Sequence, residues 1–130
     1  MDLQELSSIS VKKPGGSDEV SLLQLADDWA EYVLRLDEQL IEAGADLAGI
    51  KEFVAGLQVR DRLGEGLAGA TAPALIRAAD ALYKACTHQD DHNVLARLDD
   101  ALPTQPWWWE RIPASGPLAS EFSKQARRLR

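Results

Sequence analysis

The segment His88-Gln89-Asp90-Asp91-His92 holds the residues whose types and spacing come closest to a chemical site. Two histidines four residues apart on a helix share one face, where they can bind one metal ion, and Asp91 adds a carboxylate. The other interpretation is a helix start, in which Thr87 or Asp90 caps the helix and both histidines are solvated. The run lacks the glutamate of the HExxH motif, and this favours the second interpretation and a chain without a bound metal.

Carboxylate pairs recur along the chain, at positions 27/28, 37/38, 90/91 and 99/100. Acid–base catalysis needs two carboxylates in different environments, whereas neighbours on an amphipathic helix mostly point into water. Gly64, Gly66 and Gly69 follow a predicted helix rather than a strand, which is not the context of a dinucleotide-binding loop. No motif therefore specifies a reaction, and we expect a non-enzymatic protein without a cofactor.

Three consecutive tryptophans, Trp107, Trp108 and Trp109, lie between Pro106 and the segment Glu110-Arg111-Ile112-Pro113. In a strand the middle ring faces away from the other two, and in a helix the three fan out at about 100° per residue. We therefore expect at least one ring to cap an edge of the core or to face a partner. Tryptophan and arginine are enriched in interface hot spots, so Trp107, Trp108, Trp109 and Arg111 are predicted partner-binding residues.

The first long helix has a strongly acidic outer face. Between positions 18 and 46 there are nine acids and one base, Arg35. One interpretation is a solvated face on which Arg35 bridges Glu31 and Glu38. The other is a docking surface for a basic protein, which such a charge would steer into place. This second interpretation assigns five more residues to partner binding: Asp27, Asp28, Glu31, Glu38 and Glu42.

Hydrophobic periodicity predicts an all-α domain, a bundle of four to five helices over residues 17–130, preceded by a flexible arm over residues 1–16. The first helix is expected over 18–43, with Leu22, Leu25, Trp29 and Val33 in a core-facing stripe that Leu34 widens. Further helices are expected over 47–63, from Thr71 and Pro73, from Thr87 or Asp90 to Pro103, and after 115–117, with a loop over 64–70.

Charge and cysteine content limit the classes of partner and compartment. The formal net charge of −7 argues against nucleic acid or an anionic membrane as the ligand of the whole molecule and favours a basic partner. Cys86 is the only cysteine, which suits a reducing cytoplasm, and we expect it to be a small buried residue. The N-terminal residues do not have the pattern of a signal peptide.

A small, acidic, cysteine-poor and mostly helical chain with a Pro-Trp-Trp-Trp-Glu-Arg-Ile-Pro segment over residues 106–113 resembles the immunity proteins of bacterial polymorphic toxin systems. The resemblance implies a cytoplasmic protein that plugs the active site of a cognate toxin. No functional residue is carried over from it, because the resemblance rests on this segment and on overall character.

Three functional hypotheses follow from the sequence. The leading one is an inhibitor of a basic protein, in which the acidic face neutralises cations that the partner uses to bind its substrate and one of the tryptophans is the desolvated anchor. The second is a metal protein or enzyme that uses His88, Asp91 and His92. The third is a helical adaptor or homodimeric structural subunit, in which the apolar stripe of the first helix packs against a second copy.

Overall fold

The computed structural model describes residues 3–12, 18–39 and 48–128. The chain is predominantly helical in these ranges, with six α-helices: α1 (Leu3–Ser8), α2 (Leu22–Asp37), α3 (Ala48–Leu67), α4 (Ala74–Cys86), α5 (Val94–Leu98) and α6 (Gly116–Arg128). Four short strands accompany them: β1 (Ser10–Lys12), β2 (Glu19–Ser21), β3 (Thr87–Gln89) and β4 (Arg111–Pro113). The prediction of an all-α domain thus needs correction, because two small antiparallel sheets are present, β1 with β2 and β3 with β4.

The α2 helix begins later than predicted because the chain before it is a strand. Ser21 is the N-cap, and its hydroxyl accepts a hydrogen bond from the backbone N–H of Gln24 at 3.1 Å. Residues 19–21 instead pair with residues 10–12, with Val11 opposite Val20. The described part of the predicted flexible arm is therefore a helix and a strand, and Leu6 of α1 is fully buried in the core.

The predicted loop over 64–70 is instead mostly helical, since α3 continues to Leu67. Gly66 lies on the helix face that packs against Leu22, and a Cβ at this position would overlap the leucine side chain. Close packing of α3 on the start of α2 thus requires glycine here and overrides its poor helix propensity. The helix ends where Ala68 and Gly69 adopt positive φ angles.

The core lies where α2, α3, α4 and α6 meet, and its largest fully buried side chains are Trp29, Tyr83, Phe53 and Phe122. The rings contact one another. The centroids of the Phe53 and Phe122 rings are 5.3 Å apart in an edge-on arrangement, and those of Trp29 and Tyr83 are also 5.3 Å apart. The predicted apolar stripe of the first helix is buried in this core, apart from Leu34. The stripe is therefore covered within one chain, which corrects the hypothesis that it forms a homodimer interface.

Candidate functional site

The tryptophan run forms a short 3₁₀-helix, Trp107–Glu110, between α5 and β4. Trp108 and Trp109 are only 6% and 3% exposed. Both indole N–H groups donate to one oxygen of Asp61 on α3, at 2.7 and 2.8 Å. These two rings plug one side of the core, so we withdraw them from the predicted partner-binding surface: a partner has no access to them in this conformation.

Trp107 is the one member of the run that stays half-exposed. Its ring packs edge-on against Trp108 at 5.5 Å and lies 6.0 Å from Tyr83. The ammonium of Lys84 lies 4.4 Å from the Trp107 ring centroid, a cation–π geometry. Of the three predicted anchors, Trp107 alone offers ring surface to a partner.

A second inward-facing carboxylate, that of Asp80 on α4, accepts hydrogen bonds from two other buried side chains. It receives the indole N–H of Trp29 at 3.0 Å and two guanidinium N–H groups of Arg60 at 2.9 and 3.0 Å. Arg60 is 6% exposed, and its guanidinium carbon lies 4.2 Å from the Trp108 ring centroid. A buried charge needs such pairing to be tolerated.

Sequence reasoning missed Arg60, Asp61 and Asp80. The available signal was the position of these three charged residues within predicted amphipathic helices, where inward-facing charges need hydrogen-bond partners. The four indole N–H groups of the chain are possible donors to the two carboxylates. The hydrogen bonds of Asp61 hold Trp108 and Trp109, and Asp80 pairs with Arg60 and Trp29.

Arg111, another predicted partner-binding residue, is half-exposed and makes several hydrogen bonds within the molecule. Its Nε donates to the Thr87 hydroxyl at 2.8 Å, and Nη2 donates to the carbonyl oxygens of Lys84 and Thr87 at 3.2 and 2.8 Å. Nη1 reaches the Gln89 side chain at 3.4 Å. The guanidinium thus satisfies carbonyls at the C-terminal end of α4 and ties β4 to β3. Its assignment to partner binding stays a prediction.

The histidine cluster is not helical, which removes the geometric basis of the alternative in which His88 and His92 share a metal ion. His88 lies in β3 opposite Ile112, and His92 lies in the turn before α5. Asp90 caps α5, because its carboxylate accepts from the backbone N–H groups of Val94 and Leu95 at 2.8 and 3.1 Å. Within the described residues there is no group of three or more histidine, cysteine, aspartate or glutamate side chains arranged to hold a metal ion.

The outer face of α2 keeps its acidic side chains in solvent. Asp27, Glu31 and Glu38 are exposed, and Asp28 is half-buried and accepts a hydrogen bond from Gln24 at 2.9 Å. Glu42, the fifth predicted acid, lies outside the described residues. The predicted bridge from Arg35 to Glu31 and Glu38 is replaced by an ion pair with Glu52 of α3 at 2.7 Å.

Leu34 lies in the middle of these acids and is 51% exposed, the one exposed large hydrophobic side chain in the described ranges. The spacing of Asp27, Glu31 and Leu34 by four and three residues places them on one side of α2, and Glu38 follows Leu34 by four residues as the C-cap residue of the helix. We call these four residues the α2 face. On the α2 face, carboxylates lie on the same side as the exposed Leu34, and the nearby cation, Arg35, is paired with Glu52 of α3. This surface is the one most suited to a basic partner.

Cys86 lies at the C-terminal end of α4 and is half-buried, less than expected. Burial raises the pKa of its thiol to about 11, and the negative charge of Asp37 contributes to the shift. The side chain is therefore a neutral thiol near neutral pH, which is a poor state for nucleophilic or metal-binding chemistry.

None of the helices in the described ranges contains a stretch that is both long and apolar enough to cross a membrane. No family model matches the chain, and no similar curated protein or solved structure was found.

Proposed function

We propose that this chain is a non-enzymatic binding protein whose α2 face docks onto a basic protein. In its most concrete form it is a cytoplasmic immunity protein that inhibits a cognate bacterial toxin by occluding the active site. The observation that carries the proposal is the single charge sign of this face around the exposed Leu34, with the nearby Arg35 paired to Glu52 of α3.

The charges of the α2 face support a basic partner. Asp27, Glu31 and Glu38 project from one side of the helix, and Arg35 does not neutralise them because it is paired with Glu52 at 2.7 Å. A surface of one charge sign accelerates encounter with an oppositely charged protein and suppresses binding to acidic proteins and nucleic acid.

The mechanism is occlusion. The carboxylates pair with lysine or arginine side chains that the partner uses to hold an anionic substrate, and Leu34 enters an apolar recess between them. Water is then excluded from the centre of the contact, where the surrounding polar pairs form a rim. In this scheme Leu34 replaces Trp108 and Trp109 as the central anchor, since both of these rings are hydrogen-bonded to Asp61.

The test begins with capture of the partner from lysate of the native host, followed by purification of that partner and measurement of association and dissociation rates at low and high salt. Glu31→Gln is expected to slow association and to weaken its salt dependence. Leu34→Ala is expected to raise the dissociation constant about tenfold, mainly through faster dissociation.

Asp100→Asn is the matched control, because Asp100 is an exposed acid in the turn after α5. A further measurement asks whether the purified partner's own activity is lost on binding, as occlusion requires. The proposal is wrong if Glu31→Gln and Leu34→Ala bind the partner as the Asp100→Asn control does, or if the bound partner stays fully active on its substrate.

A further inference from the structure

The outer face of α4 is basic, and its uncharged side chains are short. Arg77 and Lys84 are exposed on it, seven residues apart, and the other exposed positions of the helix, 74, 78, 81 and 85, are alanines. Asp80, the only acid of α4, points inward and is bound to Arg60 and Trp29. The outward side of this helix therefore carries two positive charges and no acid. We call Arg77, Ala81 and Lys84 the α4 face.

The α2 face and the α4 face match in charge and in spacing. On α2, Leu34 and Glu38 follow Glu31 by three and seven residues. On α4, read in the opposite direction, Ala81 and Arg77 follow Lys84 by the same three and seven residues. Seven residues of helix span about 10.5 Å, and Glu38 is the C-cap residue directly after α2, so the two charged positions on each face are separated by about the same distance.

We propose that the α2 face also binds the α4 face of a second copy of this chain, with the two helices antiparallel. In this register Glu31 meets Lys84, Glu38 meets Arg77, and Leu34 packs over Ala81. The small alanine side chains let the helices approach closely, and the leucine loses its contact with water. The ammonium of Lys84 stays available, because its contact with the Trp107 ring uses a π face rather than a carboxylate.

Self-association of this kind has a regulatory consequence. It covers the surface that the proposed function assigns to a basic partner, so a second copy and that partner compete. The inference does not depend on the existence of the foreign partner, since both faces are on this chain. The net charge of −7 on each copy opposes association, so the contact is weak and depends on this register.

The experiment is sedimentation velocity of the untagged protein over a wide concentration range at low salt. The wild type is expected to show a weight-average mass that rises above the monomer with concentration. The α2 variant Glu31→Lys/Glu38→Lys and the α4 variant Arg77→Glu/Lys84→Glu are each expected to stay monomeric. An equimolar mixture of the two variants is expected to associate again, because each reversed face then meets a complementary face on the other chain.

Two controls change the net charge by the same amount elsewhere: Asp91→Lys/Asp100→Lys for the α2 variant and Lys124→Glu/Arg127→Glu for the α4 variant, all at exposed positions. Circular dichroism verifies folding. If the α4 double variant unfolds, Arg77→Glu alone replaces it and leaves Lys84 over Trp107.

The proposal is overturned if the wild type is a monomer at every concentration, if the variants behave as their charge-matched controls do, or if the mixture stays monomeric. Its failure is distinguishable from failure of the proposed function, because the α4 variant retains the whole α2 face for a foreign partner.

Discussion

The carboxylate of Asp61 lies 2.7 Å from the indole nitrogen of Trp108, across 47 residues of sequence. The same carboxylate accepts the indole N–H of Trp109 at 2.8 and 3.0 Å. One acid on α3 therefore satisfies the polar atoms of two adjacent large rings, which lets both rings be buried without an unpaired donor. This contact turns a segment that resembles a binding motif into part of the core.

Substitution of Asp61 tests this account. Asp61→Ala leaves two buried indole donors without their acceptor, and we expect it to lower the free energy of unfolding by about 2–4 kcal/mol. Asp61→Asn keeps one oxygen acceptor and is expected to cost less than Asp61→Ala. Urea denaturation of both variants gives the comparison. Equal stability of Asp61→Ala and the wild type would show that the indole contacts contribute nothing to folding.

The three tryptophans are expected to respond differently to truncation. Trp108→Ala and Trp109→Ala remove nearly fully buried rings and should each destabilise the fold by about 3–5 kcal/mol. Trp107→Ala removes a half-exposed ring whose contacts are with Lys84, Tyr83 and Trp108, so a smaller loss is expected. Thermal melting of the three single variants ranks them. A ranking with Trp107→Ala as the most destabilised would contradict the plug.

Two buried tyrosines form a matched pair for a test of hydrogen bonding. Tyr83 Oη donates to the carbonyl oxygen of Trp108 at 2.8 Å, whereas Tyr32 Oη has no hydrogen-bond partner among the described residues. Tyr83→Phe should therefore cost about 1–3 kcal/mol, because it orphans a buried carbonyl. Tyr32→Phe should be neutral or stabilising. Chemical denaturation of the two variants side by side is the measurement, and equal losses would refute the assignment.

Stability is expected to fall at alkaline pH. Burial raises the pKa of Tyr32 and of Tyr83 well above the ordinary 10.0, and it raises the pKa of Cys86 from 9.0 to about 11. A raised pKa in the folded state means that the native protein holds protons that the unfolded chain releases. The contribution of these groups is complete below about pH 9 and is lost as the pH rises through the folded pKa values.

Urea denaturation at a series of pH values between neutral and about 11 measures this loss. Tyr32→Phe is the informative variant, since it removes one titrating group together with an unpaired hydroxyl, and its stability should decline less steeply above about pH 10, where the unfolded chain begins to release the tyrosine proton. A wild-type stability that stays constant or increases over that interval would contradict the burial of these groups.

The main elements of the helical framework could be predicted from the sequence because they depend on local patterns. The stripe of Leu22, Leu25, Trp29 and Val33 predicted α2, and all four side chains are buried. Asp90, one of the two predicted caps of the fourth helix, accepts the backbone N–H groups of Val94 and Leu95, although Asn93 occupies the N-cap position of α5. Capping and amphipathicity act within a few residues.

Tertiary structure decided where the small sheets form, how far α3 extends and which tryptophans are buried. Three-residue strands have no periodicity to detect, and β3 and β4 pair across a long sequence separation. Gly66 is helical because Leu22 packs against it. Leu34 gives a similar example at the surface. Its spacing predicted that it belongs to the core-facing stripe of α2, but the positions of α3 and α4 determine which side of α2 is buried, and Leu34 lies outside it. Local sequence specifies which helices can form, whereas burial depends on neighbours that are distant in sequence.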